Sequence, residues 1–264
     1  MDGEPVHIDC AFPLLHGDFG EDGSVQGALD VAAIPYVGEN VFASAFCLDK
    51  VACRTLADLL GIRGAKYVSV TKGMSAAAAQ TLAEEKLGYP MFIKPRALGS
   101  SVGAGKIKDE NDFFKAYEMA SADSTRAVII EECLDISCEL EIGVLQQKGK
   151  HVFTKIGKIE SKSGFYDYDE KYSSGSTVKI DSSPEIREDI EKELRHSAEK
   201  LANALEIRSL SRIDFFLDKS GELYFNEINT MPGFTGGSLY PALCAEIGIS
   251  PRELIKSLIC EALL

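Results

Sequence analysis

A chain of 264 residues, 45% hydrophobic and 26% charged, has ordinary globular composition and enough apolar mass for one large domain or two modest ones. Its formal net charge of −13 excludes a general nucleic-acid or anionic-membrane surface, so any phosphate must be held by local cations and backbone amides. No apolar run reaches the ~20 residues of a membrane span. The acidic start MDGEPVHIDC has no signal-peptide pattern, and the seven scattered cysteines lack a C-x-x-C, which points to reduced thiols in a cytoplasm.

In chain order, IDCAFPLL (8–15) predicts a buried strand entering the loop HGDFGEDG, with Asp22 capping a helix through SVQGALDVAA. IPYVG reads as a short strand, and a helix follows over 41–61 with a break near Asp49. AKYVSVTK is a strand, SAAAAQTLAEEKLG a helix stopped by Gly88, and YPMFIKPR a strand leading to the loop ALGSSVGAG. A short strand and a helix occupy KIKDENDFFKAYEMAS, and AVIIEECL, SCELEIGVLQQ and HVFTKIGKIES are strands. KSGFYDYDEKYSSGS is a long, polar, tyrosine-rich loop of the kind that carries function. Ser183-Pro184 opens an amphipathic helix, SLSRIDFFLDKSGELYFNEINT forms a hairpin turning at Lys219-Ser220-Gly221, and two helices end the chain, the last capped by SPRE. Residues 1–60 hold too little for a core of their own. That lobe leans on the rest, pairs with another subunit, or is the remnant of something larger.

Four functional groups fall on the hairpin: Arg212 and Asp214 on one strand, Glu227 and Asn229 on the other, each pair two residues apart and so sharing a face. Asp214, Glu227 and Asn229 are the oxygen ligands a hard cation such as Mg²⁺ takes, and Arg212 suits a neighbouring phosphate. An exposed face of cross-strand ion pairs is the plainer reading, but an otherwise apolar hairpin favours metal. Lys94 lies inside an apolar strand just before a Gly/Ser loop, where backbone amides and the hydroxyls of Ser100 and Ser101 suit phosphate, although the Walker pattern is absent. The turn after Glu131 and Glu132, through Cys133 and Leu134, offers backbone groups and apolar contact to an adenine, with Glu139 able to accept from a ribose hydroxyl. His16 ends a strand, where α/β ligand sites collect. Lys171 and Tyr172 stand in the polar loop, which could close over a reacting ligand.

In order, HGDFGEDGSVQG, Asp49-Lys50, IKP at 93–95, LGSSVG, FYDYDEKY, RIDFF, NEINTMPGFT and SLYP resemble the D-alanine–D-alanine ligases of the ATP-grasp superfamily, over essentially the whole chain. The resemblance implies an α/β (α+β) ATP-grasp fold: two α+β subdomains (49–130 and 131–264) sandwiching ATP, after a truncated Rossmann-like N-terminal lobe (1–48). It implies a cytoplasmic, dimeric enzyme of peptidoglycan synthesis that joins two D-alanines through an acyl phosphate, using ATP and two Mg²⁺ or Mn²⁺. Lys50, Lys94, Ser100 and Ser101 would meet phosphate; Glu131, Cys133, Leu134 and Glu139 would meet the nucleoside; Asp214, Glu227 and Asn229 would hold the metals. Arg212 and the Gly233 amide would stabilise the oxyanion, Ser238 and Leu239 would dock the second carboxylate, and His16 would lie by the first amino acid. Ser101, Lys171 and Tyr172 would complete the catalytic set.

Family members begin with a further strand and a loop whose glutamate binds the first ammonium. Here the chain opens at what would be the middle of that domain, and Glu21 is not that glutamate. The expectation is a chain that binds Mg-ATP but ligates poorly. EKY at 170–172 favours an amino-acid acceptor over D-lactate but leaves D-alanine and D-serine open. A non-catalytic nucleotide-binding remnant and another carboxylate–amine ligase are the rival readings.

Overall fold

The computed structural model describes residues 7–98, 103–122, 127–160, 179–235 and 237–264. Two antiparallel sheets dominate. The first has four strands, in the order β1 (Tyr67–Val70), β4 (Val128–Glu132), β2 (Met91–Pro95), β3 (Gly105–Ile107). Helices α4 (Ala76–Lys86) and α5 (Glu110–Ala120) cover one face, burying Val68, Met91, Ile93, Ile107, Phe113 and Ile130. Ser75 accepts from Ala78 N and Gly88 follows at φ 72°, so both ends of α4 fall where the sequence predicts.

The second sheet has the order β7 (Lys179–Asp181), β6 (Lys150–Glu160), β5 (Ile136–Gln147), β8 (Leu210–Asp218), β9 (Leu223–Asn229). Its core face packs on α6 (Glu188–Ala204) and on two helices from early in the chain, α2 (Val41–Leu48) and α3 (Lys50–Leu59). The opposite face meets α7 (Leu239–Ala245) and α8 (Pro251–Ala262) near Leu145, Leu210 and Met231. α8 begins with a full capping box between Ser250 and Glu253. The chain crosses from one sheet to the other at 133–135, between β4 and β5.

Asp49 makes the break between α2 and α3. Its backbone is extended (φ −80°, ψ 100°) while its carboxylate accepts from Val51 N and Ala52 N. α1 (Ser24–Val31) starts one residue later than an Asp22 cap requires: Gly23 is the cap residue, and Asp22 accepts from Phe19 N and Ser24 N instead. The long helix does not open at Ser183-Pro184 either. It begins at Glu188, because Ser183 N donates back to Asp181 Oδ1 and holds the chain in a turn.

The strands expected at 8–15 and 34–38 reduce to one parallel bridge, Ala11 to Tyr36. A single bridge supplies too few hydrogen bonds to align two strands. This early part of the chain leans on the second sheet. Cys47, Cys53 and Ala57 enter that sheet's core, and Val37 joins Leu210, Met231 and Tyr240. Buried Glu39 accepts from the backbone N–H groups of Arg208 (2.8 Å) and Ser209 (3.1 Å), just before β8. Burial pushes its carboxyl up to about 7, against the pull of those N–H groups and of the Arg208 charge.

Candidate active site

The site begins with an irregularity in the hairpin. Phe215 pairs with Phe225 and Asp214 with Glu227, so β9 spends one extra residue, Asn226, between them. In a regular strand Phe225 and Glu227 would share a face. The bulge puts them on opposite faces: Phe225 goes into the core beside Phe215, while Glu227 and Asn229 join Asp214 and Arg212 outside it. The neighbouring strand β5 adds Glu141, paired with Asp214. One polar face thus spans three strands, with core packing behind it.

Arg212 is held as a fork. Nε and Nη2 each lie 2.7 Å from the two Asp214 oxygens, and Glu141 Oε2 is 3.0 Å from Nε. Asn229 Nδ2 donates to Asp214 Oδ2 at 2.8 Å. Burial works against the guanidinium charge, but the carboxylates of Asp214 and Glu141 overcome it and hold Arg212 well above its ordinary range. Among the described residues no group of three or more His, Cys, Asp or Glu is arranged as a metal site. Asp214, Glu227 and Asn229 still form an all-oxygen donor set on neighbouring strands, which fits a hard divalent cation, with Arg212 and Lys50 compensating the carboxylates in this structure.

A cationic cluster faces these carboxylates. Lys50 is 8% exposed; its Nζ donates to Leu98 O at 2.7 Å and lies 3.5 Å from Glu227 Oε2. It is placed by Asp49, whose carboxylate receives Arg96 Nε at 2.8 Å, and by its own N–H on Arg96 O at 3.0 Å. Lys94 Nζ lies 2.7 Å from Glu131 Oε2, and Arg54 Nη2 lies 2.9 Å from Glu131 Oε1. Burial alone would raise the Glu131 carboxyl, but Lys94 and Arg54 bring it down to about 2. Burial lowers Lys94, with Glu131 opposing. Arg54 also donates to the carbonyl of Phe225 in β9, so one buried side chain ties the first sheet to the hairpin.

The Glu131 carboxylate is therefore occupied by two cations, and an adenine at this point would meet backbone and the neighbouring Cys133 and Leu134. Those two are partly buried in the crossing segment, where Cys133 N donates to Pro90 O at 3.3 Å. Glu139 stands between Phe216 and Ile159 on the same face of β5 as Glu141. Beyond β9 the chain turns. Gly233 abuts Ser238: a Cβ there would sit 2.7 Å from Ser238 Oγ. Ser238 Oγ accepts from Thr235 N at 3.0 Å and sits one residue before α7. The Leu239 side chain is buried with Ile159 and Leu243, leaving its backbone N–H as what it presents at the helix start. His16 Nδ1–H donates to Met231 O at 2.9 Å, which places it beside the same turn. Ser100, Ser101, Lys171 and Tyr172 lie outside the described residues.

Sequence reasoning missed Arg54, Glu141 and the contacts of Glu21 and Glu39. Two signals were available. Lys50, Arg54 and Ala57 share one helical face, which mixes two cations with a core residue. In CELEIG the glutamates alternate with core residues, in phase with one another.

The family model for the D-ala D-ala ligase C-terminus matches residues 56–260, and the one for the D-ala D-ala ligase N-terminus matches residues 2–39. The chain belongs to the D-alanine–D-alanine ligase family. The D-alanine–D-alanine ligase of Geobacillus kaustophilus is 42% identical over 268 residues, covering 99% of this chain and 71% of that protein. Its counterpart in Bacillus cytotoxicus is 44% identical, covering 96% and 69%. Among solved structures, the VanG D-Ala:D-Ser ligase from Enterococcus faecalis superposes with a TM-score of 0.86 at 38% identity, covering 97% of this chain and 74% of that one. With these neighbours, the pair of antiparallel sheets is the ATP-grasp arrangement of this family. Among the described residues no helix is long and apolar enough to cross a membrane.

Proposed function

We propose that this ligase joins two D-alanines to D-alanyl-D-alanine at the expense of ATP, through an acyl phosphate, for peptidoglycan precursor synthesis. The observation that carries the reading is the contact between Lys50 and Glu227, 3.5 Å apart, where the cations of α3 and β2 meet the carboxylates of the bulged hairpin. A triphosphate bearing divalent cations has the charge pattern to fill such a seam, negative toward Lys50 and Lys94 and positive toward Asp214 and Glu227.

Lys50 and Lys94 hold phosphate oxygens, and Glu131 keeps Lys94 aimed and protonated by offsetting its burial. Cys133 and Leu134 receive the adenine and Glu139 the ribose. Asp214, Glu227 and Asn229 would hold two Mg²⁺ or Mn²⁺ ions, which supply charge neutralisation for phosphoryl transfer. His16 lies by the first D-alanine, whose carboxylate is phosphorylated. The amine of the second then attacks the acyl carbonyl and phosphate leaves. Arg212 and the Gly233 N–H stabilise the oxyanion that forms, and Ser238 with the Leu239 N–H docks the second carboxylate. Ser100, Ser101, Lys171 and Tyr172 complete the set on sequence grounds. The spans 1–48, 49–130 and 131–264 serve as first-substrate lobe, central subdomain and C-terminal subdomain. Seven free thiols suit a reducing cytoplasm, and a homodimer is the expected assembly.

A second reading, D-serine as acceptor, is favoured by the likeness to the VanG D-Ala:D-Ser ligase. Both are tested together by phosphate release from ATP with D-alanine alone and with D-serine in competition, the products separated as dipeptides. D-alanyl-D-alanine as the dominant product supports the first reading, and mixed dipeptide the second. Phosphate release indifferent to either amino acid contradicts both.

A further inference from the structure

The loop between the early bridge and α1 is fixed more tightly than a substrate loop of His16 alone requires. Gly20 passes so close to Leu15 that a Cβ would lie 2.5 Å from its carbonyl oxygen, so only glycine fits. Gln26 Nε2 donates to Gly20 O at 2.7 Å, and both groups are buried. Asp22 accepts from Phe19 N. At the centre is Glu21, 9% exposed, whose carboxylate is held among the described residues by backbone N–H groups. Its two oxygens are spent on backbone donors 214 residues apart in sequence: Oε2 accepts from Gly17 N at 2.8 Å, and Oε1 accepts from Met231 N at 3.2 Å.

Both donors adjoin groups with a chemical role. Gly17 follows His16, and Met231 stands two residues before Gly233. The carbonyl of the same Met231 receives His16 Nδ1–H at 2.9 Å. Because a carbonyl only accepts, this contact fixes the proton on Nδ1 and leaves Nε2 as the ring's remaining contact point. Met231 thus gives its N–H to Glu21 and takes the N–H of His16, while Glu21 takes the N–H of the residue after His16. The three contacts close a ring of hydrogen bonds between the histidine loop and the turn after β9.

We propose that Glu21 is a positioning residue, one buried carboxylate that sets the histidine loop and the Gly233 turn relative to each other and so couples the two amino-acid half-sites. This rests on the ligase reading above and deepens it. Glu21 touches neither substrate; it acts through His16 and Met231. An oxygen pair is required because both partners donate. The isosteric Glu21→Gln can accept from only one of them and turns its own N–H groups on the other.

The test uses the full chain with Glu21→Gln, and Glu21→Asp in case the first variant folds poorly. Two readouts are taken. In steady-state ligation the variant should raise the KM for D-alanine and lower kcat, together by about 10- to 100-fold in kcat/KM, with the KM for ATP unchanged. In long-range histidine NMR without substrate, the His16 ring should lose its hydrogen-bonded Nδ1–H signature while the ring signals of His7, His151 and His196 stay where they are in the wild type. Equal losses in the KM for ATP and for D-alanine, or wild-type kinetics with an unmoved His16 resonance, would overturn the proposal. A wild-type chain with no D-alanine-dependent phosphate release would sink the ligase reading instead; the His16 resonance, which needs no substrate, still decides whether Glu21 holds the loop.

Discussion

Glu131 is the anion on which Arg54 and Lys94 converge, and replacing it by Gln removes the charge while keeping the shape. Its carboxyl is brought from 4.5 to about 2 in the folded chain, since the two cations outweigh the burial that pushes it up. At ~1.4 kcal/mol per pH unit that gap contributes about 3 kcal/mol of stability. A depressed carboxyl makes its contribution in full above pH 4.5 and loses it as pH falls toward 2, so at neutral pH the whole amount is at stake. Removing one partner of a buried ion pair costs about 3–5 kcal/mol, in agreement. For a chain of this size Glu131→Gln should therefore melt roughly 6–15 °C lower at pH 7. Lys94 should also suffer. Burial already lowers it and Glu131 opposes that, so without Glu131 the lysine sinks further and its grip on phosphate weakens. Thermal unfolding with and without Mg-ATP reads both effects. A variant that melts with the wild type and keeps its KM for ATP would refute the reasoning.

Three further outcomes follow from other contacts. Glu39 is the opposite case: burial raises it to about 7, so the unfolded chain releases its proton first and stability falls as pH climbs from 4.5 to 7, by about 3 kcal/mol from this group. Melting temperatures at pH 5 and pH 8 should differ more in the wild type than in Glu39→Gln, and an equal slope would contradict the assignment. Ser250→Ala breaks the capping box of α8, whose residues are none of the proposed ligands, and should cost about 1 kcal/mol in denaturant unfolding with ligation rates unchanged. Asp214→Asn takes away the carboxylate that grips Arg212 at both Nε and Nη2 and should lower phosphate release about 100-fold or more, with the fold retained in far-UV circular dichroism.

What the sequence made legible was local. The hairpin turn at 219–221, the Asp49 break, the Gly88 stop and the SPRE cap are each decided by a few neighbouring residues, and each stands where its chemistry puts it. The polar face was legible too, although a strict period of two would have set Phe225 and Glu227 on one side; the bulge at Asn226 resolves that conflict. The pairs Arg54–Glu131 and Glu21–Met231 were not legible, because they span 77 and 210 residues and nothing local marks either end. The strands expected at 8–15 and 34–38 failed for a related reason. Apolar content suggests a strand, but a ladder needs partners, and these segments have one bridge between them. The Ser183 helix start failed because a proline after a serine also suits the turn that Asp181 holds.

The central claim is that the cations of α3 and β2 and the carboxylates of the bulged hairpin serve ATP-driven joining of two amino acids. Simultaneous measurement of phosphate and dipeptide, as D-alanine is titrated at fixed Mg-ATP, tests it most directly. The account predicts phosphate release that requires D-alanine and matches the dipeptide formed one for one. Phosphate released at the same rate without D-alanine, or with no dipeptide beside it, would contradict it.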